Sequence, residues 1–166
     1  MTGRGRNLYA RLLRRFGKDL SHFPDGRIDY SSSRQAPVVT VFIEYGGKIL
    51  LLKRSRKVRT YKGKWNTVAG YLDEDKPLRR KVLEEVSEEI GLAKKDVRRV
   101  FFGKPFTFKD TEGNLTWHIF PALIQLKRKP RIRLDFEHTA YRWIDPKDIY
   151  KYKTVKDLPM SLSKVF

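Results

Sequence analysis

The chain has 166 residues, of which 40% are hydrophobic and 13% aromatic, enough for one domain with a core and a short extension. It contains no cysteine and no apolar run of about 18 residues, which excludes disulfides, thiol nucleophiles, thiolate metal sites and membrane-spanning helices. Its 37 Lys and Arg outnumber 19 Asp and Glu for a formal charge of +18, which favours polyanionic partners such as nucleic acid, nucleotides or anionic lipid.

Residues 1–36 are predicted to form a basic N-terminal extension, and residues 37–166 the main domain. The extension carries apolar residues at helical spacing, namely Leu8, Leu12, Leu13 and Phe16. This pattern predicts a short helix that Asn7 caps and Gly17 ends. We expect its apolar face to pack on the domain, although its arginines could instead grip a phosphate backbone. The N-terminus lacks the apolar core of a signal peptide, so we expect a cytoplasmic protein.

A β-hairpin is predicted where the extension ends. Residues 38–45 are rich in β-branched and aromatic side chains, Gly46 and Gly47 form a two-residue turn, and residues 49–52 continue as the second strand. A basic segment at 53–64 follows, with seven Lys or Arg and no acid. Residues 65–72 are predicted to form a third strand.

The central helix is predicted at residues 77–90. Pro77 suits the first turn, and Gly91 suits the position just beyond the last turn. An apolar stripe along this helix is formed by Leu78, Val82, Val86 and Ile90. The remaining elements are strands at 97–108, 115–126 and 141–144, a small helix from 145 and a last one near 158–165. Strands that flank one central helix in a mixed order predict the α/β class.

Three carboxylates lie on one face of the predicted central helix. Glu85, Glu88 and Glu89 are spaced at i, i+3 and i+4, so their charges repel one another and cost the helix stability. A partner that offsets this repulsion is therefore expected, and a divalent cation bound by oxygen ligands is the obvious candidate.

With Gly70 placed fifteen residues before Glu85, the chain resembles the Nudix hydrolases. Their box runs Gly, five residues, Glu, seven residues, Arg-Glu, an apolar residue, any residue, Glu-Glu, any residue, Gly and an apolar residue. The matching residues here are Gly70, Glu85, Val86, Glu88, Glu89, Gly91 and Leu92. The resemblance spans residues 38–150 and implies a Nudix-type α/β/α sandwich with a mixed central sheet and one catalytic helix.

Two charged positions of the box differ from the family pattern. The first Glu of the box is Lys76 here, and its Arg, which helps to orient the catalytic glutamates in the family, is Glu84. The two changes resemble a charge swap between residues about two helical turns apart. Lys76 could contact Glu84 directly, or it could steady one of the metal-binding carboxylates.

The resemblance implies a Mg²⁺- or Mn²⁺-dependent enzyme that cleaves the pyrophosphate bond of a nucleoside diphosphate linked to another group. Glu85, Glu88 and Glu89 are then the catalytic and metal-binding side chains, and the carbonyl of Gly70 is a further metal ligand. Carboxylates suit hard cations, which neutralise the charge of a pyrophosphate and lower the pKa of bound water.

A base or water-orienting group and substrate-binding side chains complete the expected site. We assign the base to Glu137, which precedes the last strand, with Glu112 in the 110–114 turn as its rival. We assign substrate binding to three residues of the basic segment, Arg54, Tyr61 and Lys64.

Two other functions remain open from the sequence. The altered box is compatible with a non-catalytic module that binds nucleotide or RNA. The basic segments 53–64 and 127–133, together with the basic extension, suit an enzyme acting on RNA with a 5′ di- or triphosphate. They equally suit electrostatic steering of a small nucleotide. Many members of the resembled family form homodimers, so that assembly is open as well.

Overall fold

The computed structural model describes residues 3–166, and side chains from Leu8 onward. Its helices are α1 (Gly3–Asp19), α2 (Leu78–Ile90) and α3 (Leu158–Leu162), with 3₁₀ turns at Lys94–Asp96 and Pro146–Lys151. Its strands are β1 (Gln35–Tyr45), β2 (Lys48–Arg54), β3 (Trp65–Asn66), β4 (Val68–Tyr71), β5 (Val97–Phe102), β6 (Phe106–Asp110), β7 (Leu115–Leu126) and β8 (His138–Ile144). No helix within residues 3–166 combines the length and apolar character that a bilayer crossing needs.

The sheet is mixed and is built around two long neighbouring strands. β1 and β7 pair in parallel along nearly their whole length, from Gln35 opposite Thr116 to Glu44 opposite Gln125. β1 pairs antiparallel with β2 at one end and with β4 at the other. β7 likewise pairs with both β5 and β6, and β2 pairs with β3 and β8.

Two segments predicted as single strands are each divided in the structure. The predicted strand at 65–72 splits at Thr67, because β3 pairs with β2 and β4 pairs with β1. The Thr67 hydroxyl donates to the carbonyl of Val41 (2.7 Å) at this change of partner. The predicted strand at 97–108 splits between β5 and β6, opposite Pro121 of β7. Proline has no N–H to donate, so the ladder is interrupted there.

Helices cover both faces of the sheet, which confirms the predicted α/β/α sandwich. Each face of the sheet has its own core, and alternate residues of β2 belong to one core or the other, because successive side chains of a strand point to opposite faces. Leu50 and Leu52 join the core beneath α1 and α2. Ile49 and Leu51 join the core that includes α3 and the 3₁₀ turn at Pro146–Lys151.

Helix α1 is longer than the sequence pattern predicts. It begins at Gly3, so Asn7 lies within it rather than at its cap, and the side chain of Asn7 lies outside the described residues. Gly17 is also internal, and α1 continues to Asp19. Tyr9 and Phe16 of α1 are buried in the same core as α2.

The turn glycines that position the hairpin and the central helix have the backbone geometry that their places require. Gly46 and Gly47 both have positive φ (59° and 77°), as a two-residue type I′ hairpin turn demands. Gly91 ends α2 in the left-handed conformation at φ 68°, and its N–H donates to the carbonyl of Ser87.

Candidate functional site

A cavity of about 660 Å³ opens where β1, β4, α2 and the loop after β2 meet. A volume of this size is typical of small-molecule sites, which run from about 300 to 1,000 Å³. Six residues predicted for the site share this cavity, namely Arg54, Tyr61, Gly70, Glu85, Glu88 and Glu137.

Glu85 and Gly70 are in unusually close contact at this cavity. A Cβ atom built on Gly70 would lie 2.2 Å from Glu85 Cδ and 2.3 Å from Glu85 Oε1. Only glycine leaves room for the carboxylate to rest against the β4 backbone in this way. The Nudix-like spacing of the two residues therefore corresponds to a physical cradle for the Glu85 carboxylate.

Lys81 also contacts the Glu85 carboxylate, and the sequence analysis did not identify it. Its Nζ lies 2.9 Å from Glu85 Oε1 and 3.2 Å from Asp73 Oδ1, with only 9% of its side chain exposed. Burial by itself lowers the pKa of Lys81, but the charges of Glu85 and Asp73 outweigh it and raise the pKa overall. The i,i+4 spacing of Lys81 and Glu85 was the available signal in the sequence.

Glu89 lies beneath the cavity rather than in its wall. It is 3% exposed, and its Oε2 atom has no hydrogen-bond partner among the described residues. Burial, followed by the charges of Glu85, Glu137 and Asp135, raises the pKa of Glu89 well above its ordinary value. A buried carboxylate oxygen without a partner is costly, and a cation would relieve that cost.

The three helix carboxylates do not converge on one point. Glu88 is exposed, Glu89 is buried, and Glu85 is bonded to Lys81. Within residues 3–166, no three His, Asp or Glu side chains lie close enough together to hold a metal ion. The donor chemistry fits Mg²⁺ or Mn²⁺, since the groups are carboxylates and Glu89 Oε2 is unpartnered. A bound cation would require the carboxylates of Glu88 and Glu89 to turn towards that of Glu85.

The two candidates for the base occupy different environments. Glu137 lines the cavity, and its pKa is raised by burial and by the charge of Asp135. Glu112 is absent from the lining, has 80% of its side chain exposed, and pairs with Lys156 at 2.7 Å. The geometry is therefore compatible with Glu137 as the base and gives no support to Glu112.

His138, beside Glu137, is buried behind Glu89 at the start of β8. Its Nε2 lies 3.8 Å from Glu89 Oε2, and its Nδ1 lies 3.4 Å from Asp135 Oδ1. Burial lowers its pKa, which favours the neutral ring. It does not line the cavity.

The predicted substrate-binding residues are only partly brought together. Arg54 lines the cavity, and its Nε donates to the carbonyl of Thr60 at 3.0 Å. The Tyr61 hydroxyl donates to Asp110 Oδ2 (2.7 Å) and accepts from Trp117 Nε1 (2.9 Å). Lys64 is not among the lining residues, so the structure gives no support to its assignment.

The structure answers which partner Lys76 contacts. Lys76 Nζ lies 2.5 Å from Glu84 Oε2 and 2.7 Å from Glu74 Oε1. Arg80 also bonds to Glu84, at 3.1 Å. Lys76 therefore pairs directly with Glu84, and the lysine that contacts Glu85 is Lys81 instead.

The N-terminal segment contributes to the cavity, which sequence reasoning did not foresee. Asp25 and Arg27 are among the lining residues. The Tyr30 hydroxyl donates to the carbonyl of Leu72 (2.9 Å), and the N–H of Ile28 donates to the carbonyl of Asp73 (2.9 Å). These bonds attach the segment to the loop that leads from β4 into α2.

Comparison with known proteins relates this geometry to a family. The family model described as NUDIX domain matches residues 33–162. A search of curated proteins by sequence gives no match.

Solved structures share the fold over most of the chain. A MutT NUDIX hydrolase from Burkholderia pseudomallei is 22% identical with a TM-score of 0.64, covering 80% of this chain and 98% of that one. A MutT protein from Methanosarcina mazei Go1 is 24% identical with a TM-score of 0.62, covering 78% and 91%. A C. elegans Ap4A hydrolase in a binary complex is 17% identical with a TM-score of 0.59, covering 78% and 93%.

Proposed function

The chain belongs to the Nudix hydrolase family, and from that premise we propose that it cleaves the pyrophosphate bond of a nucleoside diphosphate linked to another group, using Mg²⁺ or Mn²⁺. The observation that carries the proposal is the Glu85 carboxylate, held against Gly70 at a 660 Å³ cavity. The Ap4A hydrolase that shares the fold is consistent with a substrate of this general kind.

The wall of the cavity suits a nucleotide. Arg54 and Arg27 place guanidinium groups there, which can bind phosphate oxygens in a bidentate manner. Tyr61, Tyr71 and Trp117 supply aromatic surface on which a base can stack. We assign the diphosphate to the side of the cavity that Arg54 lines. The acidic residues of α2 line the same cavity, so a metal ion held by them would be close to the diphosphate.

The carboxylates of α2 are proposed as the metal-binding groups, with the carbonyl of Gly70. A divalent cation held there would neutralise charge on the pyrophosphate and lower the pKa of a coordinated water. Glu85, Glu88 and Glu89 supply the oxygen ligands that such a cation prefers. The cradle at Gly70 fixes the position of Glu85, so little reorganisation of that side chain is needed.

Glu137 is proposed to accept a proton from the attacking water. It lines the cavity, and its raised pKa moves it towards the operating pH, where a general base is most effective. The charge of Arg54 acts in the opposite direction and limits the rise of the Glu137 pKa.

Hydrolysis of a substrate panel tests the proposal. Purified protein with Mg²⁺ or Mn²⁺ would be given nucleotide sugars, dinucleoside polyphosphates, ADP-ribose, nucleoside triphosphates and capped or triphosphorylated RNA. We expect turnover of at least one compound, lost in Glu89→Gln and kept in Glu112→Gln, because Glu112 lies outside the cavity. Absence of turnover across the panel, or equal turnover in Glu89→Gln, would contradict the proposal.

A non-catalytic nucleotide- or RNA-binding module is the second candidate, favoured by the bond between Lys81 and Glu85. In that case the lysine would take the place of a metal ion and leave a site that binds without cleaving. Titration calorimetry with nucleotides separates the two functions. Binding without turnover, unchanged in Glu89→Gln, supports the module.

An RNA 5′-end pyrophosphohydrolase is the third candidate, favoured by the formal charge of +18. The exposed face of α1 carries Arg11, Arg14, Arg15 and Lys18. Phosphate contacts by such residues would make RNA binding fall steeply with salt, with a slope set by the number of phosphates neutralised. A shallow slope would favour a small substrate instead.

Residues 3–36 are proposed to fold as part of the catalytic unit rather than as a separate arm. The supporting contacts are the burial of Tyr9 and Phe16 in the α2 core and the bonds from Tyr30 and Ile28 to the β4–α2 loop. Tyr30→Phe should therefore lower both stability and activity, by about 1 kcal/mol in stability for one lost hydrogen bond.

A further inference from the structure

Lys81 is a buried cation placed between two carboxylates beside the cavity. Its Nζ contacts Glu85 Oε1 at 2.9 Å and Asp73 Oδ1 at 3.2 Å, and each of the three side chains is at most 12% exposed. Lysine is almost never fully buried without a partner, and the two acids are the partners that allow Lys81 to be buried here. Lys81 thus joins the β4–α2 loop to the carboxylate that rests on Gly70.

The position that normally supplies an orienting cation is acidic in this chain. Glu84 stands where the Nudix box has arginine, and it is bonded to Lys76 and Arg80. Among the described side chains, Lys81 is the cation within 4.0 Å of a Glu85 carboxylate oxygen. The orienting role has therefore no other candidate close to Glu85.

We propose that Lys81 is the positioning residue for Glu85, replacing from one turn earlier on α2 the arginine that this box lacks. The inference rests on the proposed function, because it concerns the same carboxylate. The bond to Lys81 occupies Oε1 and holds the carboxylate in the Gly70 cradle, which leaves Oε2 available to a cation. Hydrogen bonds of this kind to a ligating carboxylate orient it and tune the metal site.

A purely structural role for Lys81 makes a different prediction, because Lys81 has two contacts. The contact with Asp73 joins the loop to α2, whereas the contact with Glu85 acts on the site. Asp73→Asn weakens the first contact and keeps the second. Lys81→Gln removes both, and Lys81→Arg retains a cation at the same position.

Mn²⁺ binding measured by titration calorimetry on the full chain separates the two roles. We expect Asp73→Asn to bind Mn²⁺ as the wild type does, although it melts at a lower temperature. Lys81→Gln should bind about 10- to 100-fold more weakly, and Lys81→Arg should recover most of that loss. Equal or tighter binding by Lys81→Gln, or equal weakening in Asp73→Asn, would overturn the inference.

Folding of the variants is controlled separately. Lys81→Gln leaves the buried Glu85 carboxylate without a cation and leaves Asp73 only its contact with Arg27 at 3.6 Å, which can prevent folding. The double variant Lys81→Gln/Asp73→Asn removes the Asp73 charge as well, so that only Glu85 lacks a cation, and it is compared with Asp73→Asn alone. Weaker Mn²⁺ binding by the double variant supports the inference, and equal binding overturns it.

Hydrolysis measured in parallel distinguishes failure of this inference from failure of the proposed function. A wild type that binds Mn²⁺ but hydrolyses no nucleotide contradicts the function, while the series of Mn²⁺ affinities still decides the role of Lys81. A wild type that hydrolyses nucleotide with the same kcat and Mn²⁺ affinity as Lys81→Gln contradicts the inference alone. A wild type that binds no Mn²⁺ contradicts both.

Discussion

Lys76 Nζ lies 2.5 Å from Glu84 Oε2, so the two charged positions at which the chain departs from the Nudix box are joined to each other. Lys76 precedes α2 and Glu84 lies within it, so the bridge fastens the β4–α2 loop to the helix. Glu74 and Arg80 extend the bridge into a network of four charges. The charge swap inferred from the sequence is thus a direct ion pair, in which Lys76 and Glu84 carry the opposite charges to the Glu and Arg of the family pattern.

Charge reversal at this pair should show coupling. Lys76→Glu gathers three acids in one network and should destabilise the protein, whereas Lys76→Glu/Glu84→Lys should restore only part of the loss, because the reversed charges then face Glu74 and Arg80 of like sign. We expect a coupling free energy of about 0.5–1 kcal/mol from urea unfolding, because the pair is partly solvated.

The exposed Lys48–Asp145 pair serves as the control for this cycle. Reversing it should leave stability nearly unchanged, since both side chains are in contact with solvent. Strict additivity of the Lys76 and Glu84 substitutions would show that the contact contributes nothing.

Gly70→Ala should abolish most activity. The new Cβ would lie 2.2 Å from Glu85 Cδ, so the carboxylate must leave the β4 backbone. A displacement of about 1 Å at a reacting group can cost about 100-fold in rate, which is the loss we expect in kcat/KM. The measurement is steady-state hydrolysis together with a thermal melt.

Gly17→Ala is the matched control for the added methyl group. Gly17 is internal to α1, and its Cβ would meet Ile28 Cδ1 at 3.4 Å, an ordinary contact. Alanine should stabilise the helix by about 0.5–1 kcal/mol and leave kcat/KM unchanged. Equal activity in the two alanine variants would contradict the cradle.

Glu89→Gln should stabilise the metal-free protein at neutral pH while removing activity. Burial raises the pKa of Glu89, so the folded protein keeps this proton at pH values where an unfolded glutamate, with a pKa of about 4.3, has lost it. Wild-type stability therefore falls as the pH rises from about 4.3 through the raised pKa, and stays lower above it.

Urea unfolding of both proteins across pH checks this sign. Glutamine cannot ionise, so the advantage of Glu89→Gln should be absent near pH 4 and reach about 1–3 kcal/mol at neutral pH. Saturating Mg²⁺ should reverse the order, because only the wild type gains from a ligand that binds the folded state. A constant difference at all pH values would contradict a buried, ionising Glu89.

Glu137→Gln should change the pH profile of hydrolysis. A base must be deprotonated, so the raised pKa of Glu137 in the free protein places the acidic limb of kcat/KM above the pH expected for an ordinary glutamate. The variant should lose about 100- to 10,000-fold in kcat and lose that limb. Glu112→Gln, exposed and outside the cavity, should keep the wild-type profile.

Local sequence patterns predicted the elements whose causes are local. The hairpin turn, α2 and β7 follow from glycine geometry and apolar periodicity, and β7 has the predicted bounds of 115–126. The divided strands could not be predicted this way, because the change of partner at Thr67 and the interruption at Pro121 depend on neighbouring strands. Family membership and the hydrolase class, inferred from box spacing, are confirmed by the domain match over residues 33–162.

The missing parts of the site depend on tertiary contacts. In the sequence, Lys81 is indistinguishable from a lysine on a solvated helix face. Only its burial beside Glu85 and Asp73 reveals its partners. Arg27 reaches the cavity from a segment 43 positions before Gly70 in the chain. The loop after β2 turns at Tyr61, which has a positive φ of 54°. Because of this turn, the position of a residue in the basic segment did not predict whether it lines the cavity.

A crystal structure with saturating Mn²⁺ and a non-hydrolysable nucleotide analogue would show whether the carboxylates of α2 hold the metal against the diphosphate. We expect an anomalous difference peak for Mn²⁺ bonded to carboxylates of Glu85 and Glu89, close to Gly70 and to the diphosphate of the analogue. A structure in which Glu85 remains bonded only to Lys81, with Glu88 and Glu89 apart and no ion between them, would contradict it.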